Sequence, residues 1–246
     1  MFDPVELAKS TARVVCRGDM RSYYRFRPAR FYGGIATADC VGCCLQCVFC
    51  WSWKEVANPE RYGRMCSPDE VASNLVAMAR RKGFRQIRIS GNEPTIAKDH
   101  LLRVLELIPR EYVFILETNG ILIGCDETYA GDLSKFPNLR VRVSLKGACE
   151  EEFSKLTGAR SEGFGLQLRA LENLVNHGVR AHPACMVSFS SDEAIGKLRQ
   201  RLRGIGFEDF EIEELVLYPA VEERLKRLGI EYGVSHEPSC IPREQI

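Results

Sequence analysis

The sequence predicts an α/β protein whose core is a partial (β/α)6 TIM-like barrel, a parallel sheet with helices on the outside. Strand-like and helix-like segments alternate regularly along most of its 246 residues. The strand-like segments are nearly continuously apolar, as strands covered on both faces are. Polar loops follow several of these strands, at the end of such a sheet where catalytic groups collect.

The alternation defines the expected elements. The strands are expected at 31–39, 84–90, 112–117, 139–145, 179–187 and 210–218. The helices are expected at 68–82, 99–108, 127–136, 150–156, 165–177, 192–205 and 221–228. The first helix has the clearest boundaries, because Ser67 is a favourable N-cap, Glu70 is placed to complete a capping box, and Gly83 follows the last turn.

The pattern divides the chain into a basic N-terminal extension at 1–30, a core domain at 31–230 and a C-terminal tail at 231–246. Within the extension, the run from Arg21 to Arg27 interleaves cationic and aromatic residues. Such a run can bind single-stranded nucleic acid, or it can form a strand that packs its rings while the arginines stay hydrated. We favour packing.

Composition excludes strong polyelectrolyte behaviour, because 34 basic residues balance 33 acidic ones. No signal peptide is evident and no apolar stretch is of membrane-spanning length, so a cytoplasmic protein with no membrane partner is expected. The chain has 11 cysteines, and those between Cys40 and Cys50 are clustered while the others are scattered. This clustering favours a metal site over a disulfide framework.

Three cysteines in the loop after the first strand are the strongest functional signal. Cys43, Cys47 and Cys50 have C-x3-C-x2-C spacing and are the predicted metal ligands. Three thiolates can hold three corners of a cubane iron–sulfur cluster, which leaves the fourth iron open to a small molecule.

A second set of cysteines, Cys40, Cys44 and Cys47, has the same spacing. The later set is favoured because Phe49 precedes its last cysteine and Gly42 precedes its first. Two non-catalytic explanations also remain open. The cysteines could form a structural zinc site, although a second C-x2-C unit is missing, or they could form regulatory disulfides.

A second motif strengthens the enzymatic interpretation. The loop Gly91-Asn92-Glu93-Pro94-Thr95 follows the second strand. Together with the cysteine loop, it resembles the motifs of the radical S-adenosylmethionine (SAM) superfamily, with Asn92 in place of a glycine. The resemblance extends from about Tyr32 to Pro219. It implies a [4Fe-4S] cluster whose open iron binds SAM, reductive cleavage of SAM to a 5′-deoxyadenosyl radical, and hydrogen abstraction from a substrate.

The resemblance also implies a set of cofactor-binding residues. Glu93 is expected to accept the methionyl ammonium, Phe49 to lie against adenine, and the residues after the third and fourth strands to contact ribose and carboxylate. The full set is Phe49, Gly91, Asn92, Glu93, Glu117, Asn119, Ser144 and Lys146. Glu117 could instead cap a helix or pair with an arginine.

Within the superfamily, short motifs are similar to those of the pyruvate formate-lyase activating type, which activates glycyl radical enzymes. These motifs include Thr118-Asn119-Gly120 and Leu156-Thr157-Gly158, while Ser144 and Asn92 depart from that pattern. The run from Cys47 to Trp51 resembles wyosine-forming tRNA-modifying enzymes instead. The expected partners are a low-potential electron donor of the flavodoxin or ferredoxin type and a substrate that is a protein segment or RNA.

Overall fold

The computed structural model describes residues 1–242. Within this range, no helix has both the length and the apolar character that a bilayer span requires. The strands are β1 (Cys16–Arg17), β2 (Met20–Ala29), β3 (Ile35–Cys40), β4 (Arg64–Cys66), β5 (Gln86–Gly91), β6 (Val113–Thr118), β7 (Leu139–Leu145), β8 (Ala181–Met186), β9 (Glu211–Glu213), β10 (Leu215–Val216) and β11 (Ser235–His236).

Helices alternate with these strands as predicted. They are α1 (Pro4–Val15), α2 (Trp53–Ala57), α3 (Pro68–Lys82), α4 (Lys98–Leu107), α5 (Ile121–Cys125), α6 (Glu127–Leu133), α7 (Glu150–Thr157), α8 (Glu162–Asn176), α9 (Asp192–Ile205) and α10 (Pro219–Leu228). Single 3₁₀ turns cover Phe31–Gly33, Pro59–Arg61 and Pro94–Ile96.

The predicted fold class is confirmed. Strands β3, β5, β6, β7, β8 and β9 pair in parallel in that order, and helices lie between successive strands in the chain. The carboxyl ends of the strands therefore lie along one rim, where the loops after β3, β5, β6 and β7 meet. The strand predicted at 210–218 is divided into β9 and β10, which belong to different sheets.

Helix α3 shows how local sequence determines an element. The Ser67 hydroxyl accepts a hydrogen bond from the Glu70 amide at 3.2 Å, and Gly83 ends the helix with φ +70°. Only half of the expected capping box is present, since the Glu70 carboxylate pairs with Arg64 of β4. An ion pair with a neighbouring strand has replaced the return bond to Ser67.

The N-terminal residues do not form an extension separate from the sheet. Strand β2 pairs antiparallel with β3 along six residue pairs, from Tyr23↔Cys40 to Ala29↔Ile35. The Tyr23 side chain is buried and Phe26 packs against the main core, so this part of the favoured packing interpretation is confirmed. The boundary expected at residue 30 thus falls directly after a strand of the core sheet.

The C-terminal residues also contact the core. Strand β11 pairs in parallel with β10, and the Leu217 amide donates to the His236 carbonyl at 2.8 Å. Residues 243–246 of the expected tail lie outside the described range.

The two faces of the parallel strands differ, which corrects the expectation of apolar strands covered on both faces. The face toward the helices is apolar and buried, and it includes Ala36, Ala38, Ile87, Ile89, Phe114, Leu116, Val141 and Val143. The inner face bears Thr37, Asp39, Arg88, Ser90, Glu117, Arg142 and Ser144. Ion pairs join these strands, Arg88 to Glu117 at 2.7 Å and Arg142 to Glu213 at 2.8 Å. The interior of the partial barrel is therefore a polar layer beneath the rim.

Candidate active site

The cysteine loop runs from the end of β3 to α2 and is held by backbone contacts from distant segments. The Val41 amide donates to the Ser22 carbonyl at 3.0 Å, and the Val48 amide donates to the Leu156 carbonyl at 2.8 Å. Gly42 has φ +84°, and a Cβ there would lie 2.6 Å from a methyl carbon of Thr11. This position requires glycine both for its conformation and for the close approach of α1.

A buried arginine supports the other end of the loop. Arg224 of α10 is 7% exposed, and its Nη1 donates to the carbonyls of Val48 at 2.8 Å and Cys50 at 3.1 Å. Its guanidinium carbon lies 4.6 Å from the centroid of the Trp53 ring. Sequence reasoning missed Arg224, because no local pattern connects it with residues more than 170 positions earlier.

The three predicted ligands lie together in this loop. Cys47 is buried, and Cys43 and Cys50 are half-buried. Burial raises the pKa of Cys47, negative charge on Cys43 and Cys50 raises it further, and Lys146 opposes the shift. Burial likewise raises the pKa of Cys50. A positively charged metal centre would reverse this balance, because metal ligation needs the deprotonated thiolate.

The alternative set of cysteines is placed differently. Cys40 is the last residue of β3, fully buried between Tyr23 and Gly91 in the sheet ladder. Cys44 is also fully buried, and its sulfur accepts a hydrogen bond from Asn119 Nδ2 at 3.2 Å. Both thiols therefore occupy protein interior that the sheet and the Asn119 amide already fill.

Among residues 1–242, no three cysteine, histidine or carboxylate side chains are gathered tightly enough to hold a single metal ion. A cubane cluster makes a different demand, since each thiolate binds a separate iron at a separate corner. Three thiols in one short loop provide the right donor type and number for such a cluster with one open iron.

The loop after β5 lies directly against the cysteine loop. Gly91 has φ +99°, and a Cβ there would lie 2.7 Å from the Cys40 amide nitrogen, so the two backbones meet here. The Asn92 side chain accepts from the Gly42 amide at 2.7 Å and donates to Ser52 Oγ at 2.8 Å. The asparagine in place of the expected glycine thus makes two hydrogen bonds that hold the cysteine loop in position.

Glu93 is fully buried, and its carboxylate accepts four hydrogen bonds within the described chain. One oxygen accepts from the Thr95 amide, the Thr95 hydroxyl and the Thr118 hydroxyl at 3.1, 2.6 and 2.7 Å, and the other accepts from the Asn119 amide at 2.7 Å. A carboxylate has about four acceptor positions. In this arrangement Glu93 joins the loops after β5 and β6. Its Oε2 accepts a single bond and keeps an acceptor position, so the expected contact with the methionyl ammonium stays a prediction.

Asn119 joins the cysteine loop to the loop after β6. Besides its bond to Cys44, its Nδ2 lies 3.7 Å from the Cys43 sulfur, and its Oδ1 accepts from the Ile121 amide at 3.0 Å. The buried Gln167 of α8 supports it, donating to the Asn119 carbonyl at 2.6 Å and to the Ser144 carbonyl at 3.1 Å. Sequence reasoning missed Gln167, since its position within α8 gives no functional signal.

Glu117 belongs to the polar layer of the barrel. Its carboxylate accepts from Arg88 Nη1 at 2.7 Å and from the Ser90 hydroxyl at 2.5 Å. Burial opposes ionisation, but the charges of Arg88 and Arg142 outweigh it and hold the pKa of Glu117 below its usual range. The pairing with an arginine that the sequence left open is therefore what the structure shows.

Lys146, Ser144 and Phe49 form the far side of the site. Lys146 Nζ donates to Ser144 Oγ at 2.5 Å, and Ser144 Oγ donates to Glu213 at 2.7 Å. The Lys146 ammonium also lies 5.9 Å from the centroid of the Phe49 ring, which stacks on Phe189 at 5.4 Å. Lys146 therefore lies near Phe49 of the cysteine loop, while Ser144 connects the rim to the polar layer below.

The family follows from comparison with known proteins. A sequence profile of the radical SAM superfamily matches residues 39–202, which include both motif loops and strands β5 to β8. The chain belongs to the radical SAM superfamily. It is accordingly a radical SAM enzyme, with a [4Fe-4S] cluster and SAM as its cofactors, and such enzymes need an electron donor.

Curated relatives share part of the chain. A "Probable GTP 3',8-cyclase" of Methanococcus vannielii is 34% identical over 122 residues, which are 49% of this chain and 38% of that protein. One of the same name from Methanosarcina acetivorans is 28% identical over 167 residues, 67% of this chain and 48% of that protein. The matched region spans less than half the length of these relatives.

Solved structures show the same fold. SuiB of Streptococcus suis bound to S-adenosylmethionine has a TM-score of 0.59 at 18% identity, covering 83% of this chain and 52% of that one. The protein anSMEcpe with bound AdoMet and a peptide has a TM-score of 0.55 at 24% identity, covering 71% and 48%. At these identities the likeness shows the fold alone.

Proposed function

We propose that this protein cleaves SAM reductively at a [4Fe-4S] cluster and uses the resulting 5′-deoxyadenosyl radical to abstract hydrogen from a nucleotide substrate. Cys43, Cys47 and Cys50 would hold the cluster. The observation that supports this most is the joint placement of the cysteine loop and the loop after β5, braced against each other by Asn92. The electron donor would be of the flavodoxin or ferredoxin type.

Residues around the cysteine loop would divide the work of binding the cofactor. Gly91 lets the loop backbone approach closely, and Glu93 holds that loop in place from the buried side. Phe49 offers an apolar face for a planar base, and Lys146 offers a cation for a carboxylate. The protein would therefore supply ligation, orientation and exclusion of water, while the cofactor carries the radical chemistry.

The substrate class is proposed from the curated relatives, whose printed name places their activity on GTP. The similarity to glycyl-radical-enzyme activases and to tRNA-modifying enzymes stays a prediction. These alternatives differ in their substrates, a protein segment or RNA in place of a free nucleotide.

Anaerobic reconstitution tests the proposal. The wild-type protein should bind about four irons and, after reduction, release 5′-deoxyadenosine and methionine from SAM. Single alanine substitutions of Cys43, Cys47 or Cys50 should abolish iron binding and SAM cleavage. Cys44→Ala is the matched control in the same loop and should retain both.

Two results would refute the proposal. A reduced, iron-loaded protein that releases no 5′-deoxyadenosine would exclude the reaction. Loss of iron in Cys44→Ala, with iron retained in Cys43→Ala, would assign the ligands to the earlier set of cysteines.

A further inference from the structure

Two arginines of β2 lie on the inner side of the sheet beside the cysteine loop. Arg25 and Arg27 both direct their Nε atoms to the same carboxylate oxygen of Asp39, at 2.7 and 2.8 Å. Asp39 is fully buried and precedes Cys40 at the end of β3. Arg27 is aligned with Thr37, whose hydroxyl accepts from Arg88 of the polar layer at 3.3 Å.

The shared carboxylate leaves both guanidinium groups with unused donors. Within residues 1–242, their hydrogen bonds use Nε, and the terminal Nη1 and Nη2 groups make none. One carboxylate charge faces two guanidinium charges, so the trio carries an excess positive charge. The side chains of Arg25 and Arg27 are 38% and 26% exposed, so their terminal groups can reach a ligand.

An exposed aromatic ring completes this cluster. Trp51 directly follows Cys50 and is 48% exposed, and the Arg25 guanidinium carbon lies 5.1 Å from its ring centroid. The same guanidinium carbon lies 5.3 Å from the centroid of the Tyr24 ring. The Arg25 guanidinium thus contacts two aromatic rings, and Trp51 keeps about half of its surface exposed.

Core packing places the rings of β2 but gives the terminal guanidinium nitrogens of Arg25 and Arg27 no partner within residues 1–242. Tyr23 and Phe26 turn their rings into the core, and Arg21 is buried against the backbone of Val15 and Glu93. Arg25 and Arg27 instead are anchored at one end and open at the other. A planar guanidinium with both terminal nitrogens free matches the oxygens of a phosphate in a two-point contact.

We propose that Arg25 and Arg27 bind the phosphate group of a nucleotide, with Trp51 as a stacking surface for its base. Asp39 is the positioning residue that holds the two forks side by side. The inference rests on the proposed function, because it names the groups that would recognise the nucleotide substrate of that site. It adds a phosphate subsite contributed by β2, outside residues 39–202.

Calorimetric titration of the anaerobic, SAM-bound holoenzyme with GTP, GMP and guanosine tests this subsite. GTP and GMP should bind at least about tenfold more tightly than guanosine, and raising the salt concentration should weaken that difference. The variant Arg25→Gln/Arg27→Gln/Asp39→Asn should lose the difference. It removes the arginines without leaving a buried, unpaired carboxylate.

Two further variants complete the design. Arg17→Gln removes one exposed charge, the same net change as the triple variant, and should bind all three probes like the wild type. Arg25→Lys/Arg27→Lys keeps the charges but not the forks, and should weaken GTP binding at least about threefold. If circular dichroism and iron content show that the triple variant does not fold, this double lysine variant is used to test the subsite instead.

The binding results distinguish a phosphate subsite from the alternatives. Equal binding of GTP to the wild type and to a folded variant of the arginine pair would overturn the phosphate subsite. Tighter binding of a short single-stranded RNA than of GTP, lost in the same variants, would also overturn it and assign the surface to RNA. SAM cleavage by a wild type that binds GTP no more tightly than guanosine would refute this inference alone, whereas absence of 5′-deoxyadenosine would refute the proposed function.

Discussion

Replacement of Arg224 by methionine tests whether α10 stabilises the cysteine loop. The change removes two charge-assisted hydrogen bonds to the carbonyls of Val48 and Cys50 and a cation–π contact with Trp53. Each lost bond leaves a carbonyl near the buried guanidinium site unpaired at a cost of about 1–3 kcal/mol, and the ring contact contributes ~1 kcal/mol. Since part of this loss is recovered by water, we expect a net destabilisation of about 3 kcal/mol.

The assays separate folding from cluster binding. For a chain of this length, such a loss should lower the melting temperature of the metal-free protein by roughly 6–12 °C. Iron content after reconstitution should fall as well. In the fraction that retains a cluster, the reduction potential should become more negative, because a nearby positive charge has been removed.

Arg227→Met is the matched control, since Arg227 is exposed on the same helix. Arg224→Lys should be intermediate, because an ammonium keeps the charge but lacks the planar fork. If Arg224→Met melts and binds iron like Arg227→Met, the role assigned to Arg224 is wrong.

Two other substitutions probe the rim and the polar layer. Gly91→Ala should destabilise the protein by about 2–4 kcal/mol, because the new Cβ would lie 2.7 Å from the Cys40 backbone at a residue with positive φ. The control Gly206→Ala also has a positive φ but open space around it, and it should lose about 1 kcal/mol of stability. Equal melting temperatures of the two variants would contradict this prediction. Glu117→Gln should flatten the acid side of the stability profile. Since the folded-state pKa of Glu117 is lowered, its contribution is fully present above its unfolded pKa of about 4.5 and is lost as the pH falls through the folded value, so melting curves of wild type and variant should converge in acid. Curves that stay parallel below that pH would exclude a stabilising role for the Arg88–Glu117 pair.

Short-range patterns in the sequence predicted the parts of the site that are themselves local. The cysteine loop, the loop after β5 and the alternation of strands and helices can each be read from a few neighbouring residues. The polar inner layer was missed, although Thr37 with Asp39, Arg88 with Ser90 and Arg142 with Ser144 show the two-residue spacing of one strand face. The apolar residues at the intervening positions made these strands look apolar on both faces.

Long-range partners could not be inferred in the same way. The sequence gives no sign of the partners of the Glu93 carboxylate, two of which, Thr118 and Asn119, come from the end of the next strand. The contact of Arg224 with the cysteine loop likewise requires knowledge of where α10 packs. The tertiary fold brings these side chains and backbone groups together, and local sequence propensity does not predict such contacts.

The supports of the cysteine loop come from opposite ends of the described chain. Ser22 and Thr11 contact its first residues, and Arg224 contacts its last. The loop therefore has all of these contacts only when β2 and α10 are both docked, so its conformation depends on two segments that are far apart in sequence. Loss of β2 or α10 from the folded protein would weaken a loop whose three cysteines are chemically intact, and a fall in iron content would then report damage far from these cysteines in sequence.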